Sequence, residues 1–124
     1  MTGELKAYLA AARRVPFAWG THDCYTFARD WIEQRTGKRV EVSYTDAMSA
    51  ARFIAEQGGM LNAVTNALGS PLERPQTARR GDVALVVIEE RQCLGIVDGE
   101  HVFGPGENGL MAVARKQIIA AWRV

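Results

Sequence analysis

Apolar residues in the first half of the chain recur at helical spacing. Leu5, Tyr8, Leu9 and Ala12 fall at i, i+3, i+4 and i+7 and predict a first helix with one buried face. Val15-Pro16 ends it, because the residue before proline is pushed out of the helical region. A second helix is predicted from about His22-Asp23 to Arg35, with Phe27, Trp31 and Ile32 inward and Thr36-Gly37 as its stop. Ser43 or Thr45 is the expected cap of a third helix carrying Ala47, Met48, Ala51 and Ile54 and ending at Gln57-Gly58-Gly59. A short fourth helix turns Leu61, Val64 and Leu68 inward and stops at Gly69. A loop from Ser70-Pro71 to Pro75-Gln76 follows.

The period then changes. Asp82-Val83-Ala84-Leu85-Val86-Val87-Ile88 is a nearly continuous apolar run with β-branched residues and predicts a central strand. Glu89-Glu90-Arg91-Gln92 reads as a polar turn. Cys93 to Val97 and Glu100 to Phe103 flank Asp98-Gly99, the strongest hairpin signal in the chain. With Asp98-Gly99 as the two-residue turn, Val97 pairs with Glu100 and Ile96 with His101. Gly104-Pro105-Gly106-Glu107-Asn108-Gly109 reads as another turn and a candidate contact surface. Leu110 to Val113 is a further strand, and Ile118 to Val124 a last one. Helices first and antiparallel strands afterwards predict a single α+β domain over residues 1–124, with N-terminal helices packed on a C-terminal antiparallel sheet.

Composition narrows the function classes. The formal net charge is +1, so no broad field draws the chain to nucleic acid or to an anionic membrane. Arg13-Arg14 and Arg79-Arg80 read as solvated surface. No apolar run approaches the ~20 residues of a membrane helix. The N-terminal stretch MTGELKAYLAAARRV has an early acid and a basic end, the wrong order for a secretory signal, so synthesis in a bacterial cytoplasm is expected. Two cysteines without a C-x-x-C make no disulfide framework. His22-x-Cys24 is not a zinc spacing, and no metal or other cofactor is expected.

Candidate chemistry lies in Phe17-Ala18-Trp19-Gly20-Thr21-His22-Asp23-Cys24. A thiol at a helix N-terminus sees the positive end of the helix dipole, which favours thiolate, and first-turn N–H groups suit an oxyanion. Asp23 opposes this: its carboxylate caps the helix and disfavours a nearby thiolate. Free cysteine is also among the most buried residue types, so packing is the alternative role for Cys24. Trp19 and Gly20 read as shaping a cleft or anchoring a loop. Asp82 reads as cleft-shaping or as the cap of a turn before its strand.

Trp19-Gly20-Thr21-His22-Asp23-Cys24, then Arg80-Gly81-Asp82 before an apolar strand, then Leu94-Gly95-Ile96-Val97-Asp98-Gly99, together resemble the NlpC-type cell-wall peptidases, a papain-like superfamily. Over almost the full length the chain more closely resembles a small family of phage and prophage proteins encoded among tail genes. That family shares Trp-Gly-x-x-Asp-Cys and Gly-Asp-Val and ends in Trp-Arg-Val, as Trp122-Arg123-Val124 does here. The resemblance implies a papain-like fold in which Cys24 matches the nucleophile. The base of that family is a histidine at the position held here by Cys93, and its third polar residue matches the region of Phe103.

A thiol does not replace imidazole as a base near neutral pH, since its reference pKa is about 8.5 against ~6.5. His22 is a weak candidate base, because i, i+2 side chains on a helix do not face each other. In the predicted hairpin His101 stands three pairs from Cys93, roughly 10 Å along the strands, on the opposite face. If the resemblance holds, Cys24 and Cys93 are near neighbours, with Cys93 facing the second helix. The leading expectation is therefore a degenerate NlpC-type domain without hydrolysis, acting in a phage tail tip or baseplate through contacts with other tail proteins. The alternative is an active cysteine peptidase or amidase that cleaves peptidoglycan during DNA entry, with its base from His22 or from a partner. A third reading is a toxin-like or regulatory binding module.

Overall fold

Local causes set each helix boundary in the computed structural model, which describes residues 2–124. α1 (Thr2–Ala12) buries Leu5, Leu9 and Ala12 as predicted. α2 (Cys24–Thr36) starts after Asp23 and ends at Gly37, whose left-handed φ of 78° lets its N–H reach Glu33 O at 2.8 Å. α3 (Ala47–Glu56) is capped by Asp46, not by Ser43 or Thr45. Asp46 Oδ1 accepts from Ser49 N–H at 2.8 Å and Ser49 Oγ from Asp46 N–H at 3.2 Å. This reciprocal box satisfies donors at both ends of the turn, which a lone hydroxyl cap does not. Ala50 is buried in α3, whereas Met48 is 73% exposed. In α4 (Met60–Leu68) Ala63 and Val64 are buried and Leu61 is exposed. The buried positions of these short helices are thus mostly small residues, with Ala63 and Val64 of α4 joining the core beneath the sheet.

Five antiparallel strands follow: β1 (Val83–Ile88), β2 (Arg91–Asp98), β3 (His101–Gly106), β4 (Gly109–Ala114) and β5 (Ile118–Trp122). Their order in the sheet is β4-β3-β2-β1-β5, so β1 is an interior strand. The helices come first and pack on one face of this sheet, giving the α+β arrangement. Leu5, Phe27, Trp31 and Val64 meet Val83, Leu85, Leu94, Ile96 and Trp122 there. Alternation turns Ala84, Val86, Val97, Val102 and Ala121 to the other face. The segment between α4 and β1 covers part of that face, with Leu72 N–H bonded to Ala121 O at 2.8 Å and Arg115 holding Ala78 O at 2.8 Å.

Three turns differ from expectation. Glu89-Glu90 alone, with both φ angles positive, joins β1 to β2, so Arg91 and Gln92 are strand residues. The β2–β3 turn is Gly99-Glu100 instead of Asp98-Gly99: Asp98 pairs with His101, Val97 with Val102 and Ile96 with Phe103. Gly99 takes the positive φ of 63° at the first turn position, so the turn moves by one place and each β2 residue pairs two residues further along β3 than expected. Gly104-Pro105-Gly106 belongs to β3, and only Glu107-Asn108 turn the chain. Gly109 (φ 117°) faces the backbone after α1, where a Cβ would stand 2.3 Å from Arg13 O. The predicted contact loop is therefore a tight hairpin docked on the domain.

Burial raises the pKa of all three tyrosines, Tyr8, Tyr25 and Tyr44. Tyr8 donates to Phe27 O at 2.7 Å and Tyr44 to Asp23 Oδ1 at 2.8 Å, so each keeps its proton in the fold. The unfolded chain releases phenol protons near pH ~10. Above that pH the folded state binds more protons than the unfolded, and stability falls as pH rises, by about 1.4 kcal/mol per pH unit for each phenol retained. Urea unfolding between pH 9 and pH 11 is expected to show this fall, with tyrosinate absorbance appearing together with unfolding. A gradual tyrosinate signal in the folded protein contradicts it.

Candidate functional site

Residues 17–24 form a structured entrance to α2. Ala18 and His22 exchange backbone hydrogen bonds of 3.0 and 2.7 Å, closing Trp19-Gly20-Thr21 into a turn. Gly20 has φ 85°, and a Cβ there would stand 2.9 Å from Tyr44 O. Its N–H instead donates to Asp23 Oδ2 at 2.8 Å. Asp23 is 1% exposed and its other oxygen accepts from Tyr25 N–H, Thr26 N–H and the Tyr44 hydroxyl, at 3.0, 2.9 and 2.8 Å. Thr26 Oγ1 returns the bond by accepting from Asp23 N–H at 2.8 Å. The motif is thus a capping device that places Cys24 as the first residue of α2. It also occupies Tyr25 N–H and Thr26 N–H, so two of the first-turn donors expected for an oxyanion are already taken.

The two thiols are neighbours. Cys24 and Cys93 are both free and half-buried, they line the same cleft and adjoining opening, and each thiol shifts the pKa of the other. Cys93 was expected near Cys24 and facing α2, and it does lie beside Cys24, the first residue of α2, but its strand position is on the other face. It pairs with Val86 and packs with the opposite face of the sheet. The proximity arises because the β2–β3 ladder stops at Ile96 and Phe103. Beyond that point Gly95 and Gly104 line an opening that also contains Cys24, Cys93 and Phe103. A Cβ on Gly95 would stand 2.6 Å from Val102 Cγ1 and 2.7 Å from Phe103 O, so glycine is what permits the close approach of β2 and β3 here.

Hydrogen bonding splits the pair electrostatically. The bond with Cys24 lowers the Cys93 pKa to about 7 against the opposing effect of burial, and Arg91 lowers it further. Cys24 is pushed well up by the same bond, by burial and by the charge of Asp23, although Leu94 N–H favours its thiolate. Cys93 is therefore the more readily ionised of the two sulfurs and Cys24 the less, the reverse of what a nucleophile at Cys24 requires.

Neither imidazole serves Cys24. The His22 ring lies edge-on to Phe27, 5.8 Å between centroids, and its Nε2 is buried without a hydrogen-bond partner. Burial lowers its pKa, while Asp30 and Asp23 pull it upward. His101 is exposed beside Phe103, and in the true register it stands at the level of Asp98, five residues or roughly 17 Å along β2 from Cys93. Its expected place on the opposite face survives the register change, because both offsets are odd.

The thiols form one end of a cleft of about 480 Å³. Phe17 and Trp19 stand on one side, Ala47, Ala51 and Ile54 of α3 on another, and Arg91, Gln92 and Pro105 close it. Asp23 and Tyr44 also line it. Asp82, expected to shape the cleft, is absent from its walls. Its buried carboxylate accepts from Arg79 N–H at 2.7 Å and Val124 N–H at 3.0 Å and pairs with Arg123 Nε at 3.1 Å. Gly81-Asp82 and the terminal Trp-Arg-Val are therefore two halves of one structural clasp. No group of metal-binding side chains occurs among the described residues.

Sequence reasoning missed Tyr44 and Arg91. Tyr44 reaches Asp23 across 21 positions, and no local spacing marks it. Arg91 stands two residues before Cys93, on the same side of an extended strand, and that signal was hidden by reading Arg91 as turn. The profile of a family described as a domain of unknown function (DUF6950) matches residues 2–124. A comparison with curated proteins gives no match.

Proposed function

We propose that this chain, which belongs to the DUF6950 family, is a non-hydrolytic tail-tip or baseplate component of a phage or phage-derived particle. In this reading it is built on a degenerate NlpC-type, papain-like fold and works through contacts with other tail proteins. The observation that supports a loss of hydrolysis is the thiol pair: the neighbour of Cys24 is a sulfur where a hydrolase needs imidazole, and Cys24 is the thiol whose ionisation is disfavoured. The tail location rests on the resemblance in Trp19-Gly20, Asp23-Cys24, Gly81-Asp82-Val83 and Trp122-Arg123-Val124. The cleft supports binding: it is largely apolar, and Trp19 at its side is 43% exposed. No described helix is long and apolar enough to cross a membrane.

The test is co-purification with the proteins encoded beside it, together with muropeptide release from purified peptidoglycan. Association is expected to survive Cys24→Ala and to weaken about tenfold or more in Trp19→Ala, the size of a buried aromatic anchor. Peptidoglycan is expected to stay intact with the wild type. Muropeptide release that disappears in Cys24→Ala would establish the peptidase or amidase instead. Absence of any association with the neighbouring tail proteins would overturn the assembly reading.

A further inference from the structure

We infer that Cys93 and Cys24 form a redox-active dithiol, in which Cys93 attacks a small-molecule disulfide and Cys24 resolves the product into an intrachain disulfide. Geometry supplies three requirements. Cys24 and Cys93 line the same cleft and the same adjoining opening, so a mixed disulfide at either sulfur has its resolving thiol nearby. Cys93 is half-buried and lines an open cleft large enough to admit a peptide-sized disulfide such as oxidised glutathione. Arg91, on the same side of β2 and lining the same cleft, offers a cation to the carboxylates of such a molecule. This inference is independent of the tail-assembly reading and holds for any cellular role.

The division of labour follows from the neighbours of each sulfur. Cys93 meets the Cys24 thiol and Arg91, both favouring its thiolate, and Phe103, Pro105 and Met111 from the adjacent strands carry no charge. Cys24 meets Asp23 and Tyr44 as well as Cys93, and so keeps its proton. Thiolate attacks and thiol waits, which suits exchange chemistry and not peptide hydrolysis.

The exchange balances. Cys93 thiolate attacks one sulfur of RS–SR, the S–S bond breaks, Cys93–S–SR forms and RS⁻ leaves to be protonated by solvent. Cys24 then loses its proton and attacks Cys93 Sγ; the Cys24–Cys93 bond forms and the second RS⁻ departs with that proton. Two protein thiols are oxidised by two electrons, and the small disulfide is reduced to two thiols.

The experiment uses the full chain, first reduced, then exposed to oxidised glutathione without denaturant. Mass spectrometry is expected to show loss of two hydrogens and a peptide linking residue 24 to residue 93. Iodoacetamide is expected to label Cys93 at least about tenfold faster than Cys24, as its lower pKa gives it more thiolate, with a pH midpoint near 7. Cys24→Ala is expected to stop at one glutathionyl group on Cys93 and to move that midpoint upward. Faster labelling of Cys24, persistence of two free thiols in the folded wild type, or disulfides only between chains would each overturn the inference. The wild-type mapping and labelling decide the matter even if a variant fails to fold.

Discussion

Asp23→Ala is expected to destabilise the domain by about 3–5 kcal/mol, measured as a shift of the urea midpoint at constant slope. Loss of a helix N-cap costs about 0.5–2 kcal/mol. Here the same side chain also satisfies Gly20 N–H and the buried Tyr44 hydroxyl, and each polar group left buried without a partner costs about 1–3 kcal/mol. The total is a large share of the roughly 5–15 kcal/mol that holds a domain of this size together. Asp23→Asn retains one acceptor oxygen and is expected to lose about half as much. If Asp23→Ala costs less than about 1 kcal/mol, the carboxylate is not the hub of this loop. The placement of Cys24 against Cys93 would then have another cause.

The second large effect is expected at Trp31. Its side chain is buried among Leu5, Phe27, Val83 and Trp122, its ring centroid lies 5.3 Å from that of Tyr8, and its Nε1–H donates to Gly81 O at 2.7 Å. Truncation of a buried tryptophan to alanine costs about 3–5 kcal/mol in lost burial and residual cavity. Trp31→Ala is therefore expected to leave the chain marginally folded, with a broad or absent thermal transition. Trp31→Phe separates the causes: the ring volume is largely kept, and the remaining loss of about 1–3 kcal/mol reports the orphaned Gly81 carbonyl. A Trp31→Phe protein as stable as wild type would mean that the bond to Gly81 contributes nothing net. The positive φ of Gly81 and the clasp at Asp82 would then be held by Arg79, Arg123 and Val124 alone.

These two expectations separate what periodicity reveals from what it does not. The faces of α1 and α2 were readable because Leu5, Leu9, Phe27 and Trp31 repeat at helical spacing and abut a single apolar surface. α3 and α4 were read less well: Val64 is buried as expected, but hydrophobicity marks Met48 and Leu61 as core residues while the fold buries the smaller Ala50 and Ala63. The β2–β3 register differs from expectation by two residues, because Gly99 had two adjacent turn positions in which to take its positive φ within Asp98-Gly99-Glu100. Such a choice is decided by the pairing of the whole strand and not by the dipeptide.

Readable in the sequence were the order of helices and strands, the start of α2 to within two residues of Cys24 and the lack of a histidine at position 93, because these depend on residues close in the chain. Tertiary structure alone decided that Asp82 clasps the C-terminus and that Tyr44 completes the Asp23 cap. It also decided which of two neighbouring sulfurs ionises more readily. Those outcomes depend on groups between 21 and 69 positions apart, whose meeting is fixed only when helices and sheet pack. The electrostatics of a thiol are then set by its neighbours in space, and no spacing along the chain encodes them.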